Sequence, residues 1–174
     1  MSMSDKVIVL NRGRLEQVGR PEDIYRDPHS AFVGDFIGES NLIAATVADV
    51  GPDDYMRVQL PGGTTAGARS AQAGIQTQPG DAVTVLVRAE SVQLSASPRS
   101  DGDWFAAVVS ERSFLGATTR LYLKAEGAGH VVIADIAGMP PAWAATGARA
   151  YVGWTPDAAL AYASASMPPT DNPT

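Results

Sequence analysis

The sequence predicts a mainly β protein in which a β-hairpin and two short helices precede a β-barrel or sandwich. From Asn41 onward the chain consists of short apolar runs separated by glycine, proline and aspartate. Many short strands with regular turn signals are typical of all-β barrels and sandwiches. Before Asn41 the pattern is different, because a single hairpin signal is followed by two stretches that begin with proline and have helical spacing.

The first predicted element is the hairpin. Val7–Leu10 is a β-branched apolar run, residues 11–13 (Asn-Arg-Gly) form a turn signal, and Arg14–Val18 alternates until Gly19. Two apolar runs joined by a short turn that contains glycine are typical of two antiparallel strands. Such a ribbon is marginally stable alone, so we expect its apolar face to be covered by the rest of the chain or by a second copy.

Two short helices are predicted to follow the hairpin. Pro21 occupies the first position of one helix, where proline is favoured. Asp27 is the expected N-cap of the next helix, with Pro28 in its first turn and Gly38 as its stop. Apolar residues recur with helical spacing along Phe32–Ile37, which gives the second helix one face to bury.

Strands are predicted through the remainder of the chain, and the segments between them at 61–80 and 95–103 are expected to be loops. The expected strands are Leu42–Val50, Tyr55–Leu60, Ala82–Val87, Ser91–Leu94, Trp104–Ser110, Thr119–Lys124, His130–Ile133 and Ala150–Trp154. Two segments, Gly80–Glu90 and Gly147–Asp157, share one plan: a glycine turn, an alternating strand, a turn that ends in a carboxylate and an apolar return. This similarity indicates two related β units, although chance likeness between β meanders is an alternative.

Length and charge divide the chain into a first segment and one barrel domain. Its 174 residues are 45% hydrophobic and suit one domain with a short appendage. The net charge of −6 is uneven: residues 1–30 hold five basic and five acidic side chains, which leaves 8 against 14 for the rest. We therefore predict a first segment at 1–40, a barrel at 41–162 and a disordered tail at 163–174.

Composition excludes several classes of function. The chain has no cysteine, so a disulfide framework, a thiolate metal site and a cysteine nucleophile are excluded. There is no basic stretch of the kind that neutralises nucleic-acid phosphates, and no apolar run approaches the ~20 residues that span a bilayer. No metal site, catalytic set or cofactor loop is recognisable, and His29 and His130 are expected to have surface or packing roles.

Three residues are candidates for a regulatory or ligand surface. Arg88 and Glu90 end a predicted strand in a tight loop, and Arg120 opens another strand after Phe114-Leu115-Gly116. The alternative is that they are strand-edge charges or a local ion pair. In that case Arg88 and Glu90 stabilise their turn, and an exposed pair would contribute at most ~1 kcal/mol.

The residues of the first segment resemble a known family. Residues 4–28 (SDKVIVLNRGRLEQVGRPEDIYRDP) and 32–41 (FVGDFIGESN) resemble the end of the ATP-binding subunit of ABC importers. The rest resembles the TOBE domain of such subunits, a small barrel related to the OB fold. Its motifs correspond to Val87–Val92, Phe114–Arg120 and Gly153–Asp157. Ala89 departs from the family, which has proline there, and we expect a looser turn.

This resemblance implies a regulatory and dimerisation domain of an importer ATPase, of the spermidine or putrescine type or a relative. ATP and magnesium would bind to motifs of the parent protein upstream of Met1, so we expect no cofactor and no catalysis in this chain. The implied partners are a second copy, the ATPase domain and transmembrane permease subunits on the cytoplasmic face of the membrane, without nucleic acid or direct membrane insertion. An alternative is a free-standing barrel that binds small oxyanions. An OB-type oligonucleotide binder would need a basic groove with stacking aromatics, whereas this barrel is acidic.

Overall fold

The computed structural model describes residues 5–71, 77–127 and 129–164. Within them lie two helices, α1 (Pro21–Arg26) and α2 (Ala31–Ile37), and 3-10 turns at Ala89–Ser91 and Pro156–Ala158. The strands are β1 (Val7–Asn11), β2 (Arg14–Gly19), β3 (Ser40–Val50), β4 (Tyr55–Gln59), β5 (Thr65–Ser70), β6 (Ala82–Arg88), β7 (Gln93–Ser95), β8 (Trp104–Phe114), β9 (Thr118–Ala125), β10 (Val131–Ala137), β11 (Arg149–Gly153) and β12 (Ala159–Ala163).

The strands after the hairpin form a closed barrel and an open sheet around one core. The barrel has the order β12-β5-β4-β3-β6, in which β12 and β5 are parallel and the other neighbours are antiparallel. The open sheet has the order β10-β9-β8-β11-β7. Phe105 and Trp154 meet edge to face in the shared core, with ring centroids 5.7 Å apart. A five-stranded barrel is the architecture of the OB fold, so the predicted fold class is confirmed.

The two sheets are built from related segments, β3–β7 and β8–β12, that exchange their last strands. β7 pairs with β11 of the second segment, and β12 pairs with β6 of the first. The correspondence extends to single hydrogen bonds, since Gly80 and Gly147 donate to the carbonyls of Val47 and Val109 at 2.8 Å each. Both valines also lie where the strand register shifts at a bulge. The predicted pair of related β units is therefore present, and the exchange joins them.

The hairpin packs on the two helices through one face. Arg12 and Gly13 form its turn with positive φ values of 49° and 80°, as a tight turn between twisted strands requires. The inner face is centred on Val9, which is buried against Ile24 of α1 and Val33 of α2. The two helices thus cover one face of the hairpin and leave the other face exposed.

Helix α2 lies against the outside of the barrel. Ala31 packs with Leu86, Leu160 and Tyr162 of β6 and β12. Gly34 permits the close approach, because a Cβ atom there would lie 2.2 Å from a Leu86 methyl carbon. The first segment and the barrel are therefore in direct contact. Within the described parts of the chain, no helix is both long and apolar enough to cross a membrane.

Three local predictions are corrected by the structure. The loop predicted at 61–80 contains strand β5, whose centre at Gly67 accepts a hydrogen bond from the Trp154 indole at 3.2 Å. Helix α2 begins after Ser30, whose hydroxyl accepts from the Val33 amide, whereas Asp27 ends α1. Strand β12 extends to Ala163, inside the tail predicted at 163–174, and residues 165–174 of that tail lie outside the described residues.

Candidate functional site

Arg88 ends strand β6, and its guanidinium lies between the barrel and the helices. The residue is 7% exposed. Its Nη1 donates to the carbonyl oxygens of Gly34 and Gly38, the latter at 3.2 Å, and to the Ser40 hydroxyl at 2.7 Å. Its Nη2 donates to the carbonyl oxygen of Tyr25 at 3.1 Å. One side chain therefore contacts both helices and the segment that follows them.

The acceptors of Arg88 explain why the charge can be buried. They lie at or just beyond the C-terminal ends of α1 and α2, where carbonyl groups lack intrahelical partners and the helix dipole is negative. Among the described residues no carboxylate forms an ion pair with Arg88, so burial lowers the pKa of the guanidinium, while Tyr162 and Asp35 act in the opposite direction. Arg88 thus serves as a shared C-terminal cap for the two helices.

Glu90 contacts the same region through Tyr25. Its carboxylate accepts a hydrogen bond from the Tyr25 hydroxyl. The Tyr25 ring also lies against the Arg88 guanidinium, with Cζ 4.3 Å from the ring centroid. The exposed Arg88–Glu90 pair considered from the sequence is therefore wrong, because Arg88 turns inward from the strand end while Glu90 lies in the following 3-10 turn.

Arg120 lies on the second sheet and forms a different set of contacts. Its guanidinium binds both carboxylate oxygens of its cross-strand neighbour Asp135 at 2.8 and 2.9 Å. A third nitrogen lies 3.0 Å from a Glu39 carboxylate oxygen. These hydrogen bonds, chiefly those to Asp135, raise the pKa of Arg120 above its usual range. Two parallel hydrogen bonds of this kind fix the orientation of the guanidinium and also compensate its charge.

The structure therefore brings Arg88 and Glu90 together at Tyr25 and places Arg120 elsewhere, but both arginines hold one short linker. That linker runs from Gly38, which follows α2, to Ser40, the first residue of β3. Arg88 binds its first and last residues, and Arg120 binds the middle one. We call Arg88 and Arg120, with the linker between them, the linker clamp. It contains no nucleophile beside a base, so its chemistry is that of positioning.

Two further residues of this junction, Asn41 and Ala89, were not among the candidate site residues taken from the sequence. The buried Asn41 side chain donates to the carbonyls of Val87 (3.2 Å) and Ile133 (2.9 Å) and accepts from the Ile133 amide at 2.6 Å. It thereby provides hydrogen-bond partners for the Ile133 backbone on the edge strand β10. The amide of Ala89 donates to the Glu39 carbonyl at 3.1 Å. A proline could not make this bond, so the residue that departs from the family pattern ties its turn to the linker.

A second surface lies on the outer side of the hairpin. Cross-strand neighbours Ile8 and Val18, together with Leu10 and Leu15, form one apolar face. Their exposed fractions are 61%, 37%, 56% and 63%. We call these four residues the hairpin face. Contiguous apolar patches of this kind are typical of interaction sites.

His130 has a packing environment. It lies next to Phe105, with ring centroids 6.3 Å apart, and burial lowers its pKa. Its ring nitrogens have no hydrogen-bond partner within the part of the chain that the structure describes. In the same residues no group of three or more His, Cys, Asp or Glu is placed to hold a metal ion.

A family model supplies the decisive comparison: that of the TOBE domain matches residues 85–161. The chain carries a TOBE domain. The match begins within β6 and ends within β12, so it includes Arg88, Glu90 and Arg120. The barrel strands β3–β5 and the whole first segment precede it.

Curated relatives extend the similarity beyond the TOBE match. The spermidine/putrescine import ATP-binding protein PotA 2 of Pseudomonas aeruginosa is 38% identical over 125 residues, which are 71% of this chain and 33% of that protein. PotA of Acidothermus cellulolyticus is 32% identical over 166 residues, 90% of this chain and 40% of the relative. That alignment necessarily includes both helices. The chain spans about a third of the length of the curated relatives that it matches.

Among solved structures, the fold is similar to the cytoplasmic molybdate-binding protein ModG with molybdate bound. The TM-score is 0.59 at 16% identity, over 71% of this chain and 95% of the ModG chain. At this identity the likeness shows the fold alone.

Proposed function

We propose that this chain is the regulatory and dimerisation part of the ATP-binding subunit of a bacterial ABC importer. The observation that carries the proposal is an alignment to PotA proteins that includes the helices as well as the TOBE domain. The linker clamp supports it, because Arg88 and Arg120, one from each sheet, bond the linker at the end of the first segment. A movement of either part would be transmitted to the other.

The relatives' names support a proposal for the solute and partners of the whole protein. Spermidine/putrescine import ATP-binding proteins recur among them, so we propose polyamine uptake. ATP and magnesium would be bound by the ATPase domain, and transmembrane permease subunits at the cytoplasmic face of the membrane would be the partners. The net charge of −6 is compatible with a cationic solute. This chain itself would not hydrolyse ATP.

A homodimer is part of the proposal, and the hairpin face supports it. Covering about 400 Å² of apolar surface would supply ~10 kcal/mol before the entropy losses of association, at ~25 cal/mol per Å². Two copies present identical faces, so a two-fold contact is a low-cost way to cover them.

Light scattering tests the dimer. We expect the chain to be dimeric at tens of micromolar and the double variant Leu10→Glu/Leu15→Glu to be monomeric. The matched control is Leu115→Glu, because Leu115 is also 56% exposed but lies in the β8–β9 turn. A dimer that dissociates in the control and persists in the double variant would place the interface on the second sheet and refute the hairpin argument.

A chimera tests the relation to the ATPase. This chain would replace the matching third of the P. aeruginosa relative, and the purified chimera should hydrolyse ATP as a dimer. The control is the same relative cut before that third. A folded chimera with no more activity or association than the shortened relative would contradict the proposal.

The alternative function is a small-oxyanion-binding barrel, which the fold shared with ModG favours. Titration calorimetry with molybdate, sulfate and spermidine separates the two. Micromolar binding of molybdate or sulfate would support the alternative, whereas the importer proposal requires neither.

A further inference from the structure

A cleft of about 550 Å³ lies between helix α1 and the barrel. Pro21 and Tyr25 of α1 form one wall, and Leu86, Ala158 and Leu160 form the opposite wall. The volume is within the range of sites for small organic molecules, about 300–1,000 Å³. The linker clamp lies at one end, because Arg88 also lines the cleft.

The charge of the cleft differs from that of the molecule. The chain has a net charge of −6, yet three guanidinium groups, those of Arg26, Arg69 and Arg88, line this one cavity. The carboxylates that line it are Glu22 and Asp157. Asp157 accepts a hydrogen bond from the Tyr55 hydroxyl. With Arg88 counted, the lining has one more guanidinium than carboxylate, beside an apolar wall.

Two of these guanidinium groups have capacity for a ligand. Arg26 is exposed, and among the described residues it has no ion pair. Arg69 lies 3.6 Å from Asp27, a long contact, and its Nε is buried without a hydrogen-bond partner in the described part of the chain. Arg88, by contrast, is occupied by the linker and the helix ends.

We propose that this cleft binds a small organic anion whose apolar or aromatic body lies against Leu86 and Leu160 and whose carboxylate or phosphate is held by Arg26 and Arg69. Such a ligand contacts α1 on one side and strand β5 on the other, so it links the first segment to the barrel. The site is separate from the clamp residues Arg120 and Glu39, and the proposal does not depend on the importer function.

A pair of fluorescent probes tests the charge requirement. 8-Anilinonaphthalene-1-sulfonate carries an aromatic body and one anionic group, and N-phenyl-1-naphthylamine is the neutral molecule with the same body. We expect the intact chain to bind the sulfonate at least tenfold more tightly than the neutral probe. Equal affinity for the two would overturn the proposal.

Variants place the binding in this cleft. Arg26→Gln/Arg69→Gln should weaken sulfonate binding at least tenfold and leave the neutral probe unchanged, and Ala158→Trp should abolish binding of both by filling the cleft. The matched control is Arg149→Gln, which removes an exposed guanidinium paired with Glu126 in the turn after β9. If the control lowers affinity as much as the double variant, the anion is bound elsewhere. A thermal melt of each variant identifies loss of folding. Ala158→Trp leaves all charges in place and therefore tests the location of the site independently of the arginines.

Competition identifies the class of anion. Benzoate and phenyl phosphate, which differ only in their charged group, should each displace the sulfonate probe, and the one that does so at lower concentration is the preferred chemistry. Inorganic phosphate lacks the apolar body and should displace it at least tenfold less well. Equal displacement by inorganic phosphate would contradict the role of Leu86 and Leu160.

Discussion

Replacement of Arg88 by alanine should destabilise the chain strongly. The change removes four hydrogen bonds, to the carbonyls of Tyr25, Gly34 and Gly38 and to the Ser40 hydroxyl. A net contribution of about 1 kcal/mol for each of these four hydrogen bonds gives about 4 kcal/mol in total. The same bonds that join the helices to the barrel would be lost.

Urea denaturation followed by circular dichroism measures this loss. With a slope of about 2 kcal/mol per molar urea, typical for a domain of this size, the midpoint should fall by about 2 M. Arg88→Lys should give an intermediate shift, because an ammonium is a single point of donation and cannot reach the acceptors of both helices. Arg149→Ala is the control and should leave the midpoint unchanged, since its ion pair with Glu126 is exposed. A shift below about 0.5 M for Arg88→Ala would refute the reasoning.

Other predictions follow from the junction and the core. Asn41→Leu should cost about 2–3 kcal/mol in urea denaturation, because the Ile133 amide and carbonyl lose their buried partner. Asn41→Asp should not restore the loss, because its carboxylate would face the carbonyls of Val87 and Ile133 without a donor. Because burial lowers the folded-state pKa of His130, the unfolded chain binds the proton first as pH falls below about 6.5. Stability should therefore decline on acidification, and the decline should be smaller in His130→Gln. Millimolar ATP with magnesium should leave the melting temperature unchanged, and a rise would contradict the expected absence of a nucleotide site in this chain.

The hairpin and the strand pattern could be predicted because their causes are local. The turn could be predicted from Asn11 and Gly13, which are residue types that favour turns, although Arg12 also adopts a positive φ. The paired glycines at 80 and 147 reveal the duplication because both make the same hydrogen bond after folding. The pairing of β7 with β11 and of β12 with β6 depends on tertiary contacts between the two units. The exchange of these strands could therefore not be inferred from the sequence.

Strand β5 and the start of α2 were missed because distant residues determine them. Gly67 lies in a strand of small residues, which carries no strand signal, and its place in the barrel depends on contact with Trp154 and Pro156. The residues predicted to open α2 are held outside it by Gln17, whose side chain binds the Asp27 carbonyl and the His29 amide. Trp154 is far in sequence from β5, and Gln17 precedes the start of α2 by more than three helical turns.

The candidate site was predictable only as residue identities. Arg88, Glu90 and Arg120 could be singled out as polar groups at strand ends, but the main partners of Arg88 are backbone carbonyls of other elements. Carbonyl groups are present at every position and leave no mark in a sequence. The role of Arg120 required the cross-strand register that pairs it with Asp135.

Spermidine uptake by intact cells tests the central claim most directly. In cells of P. aeruginosa that lack the relative's own gene, a chimera that carries this chain in place of the matching third should restore uptake of labelled spermidine. The same chimera with Arg88→Ala should restore less, because the ATPase part is no longer joined rigidly to the TOBE domain. An expressed and folded chimera that restores no uptake would contradict the account.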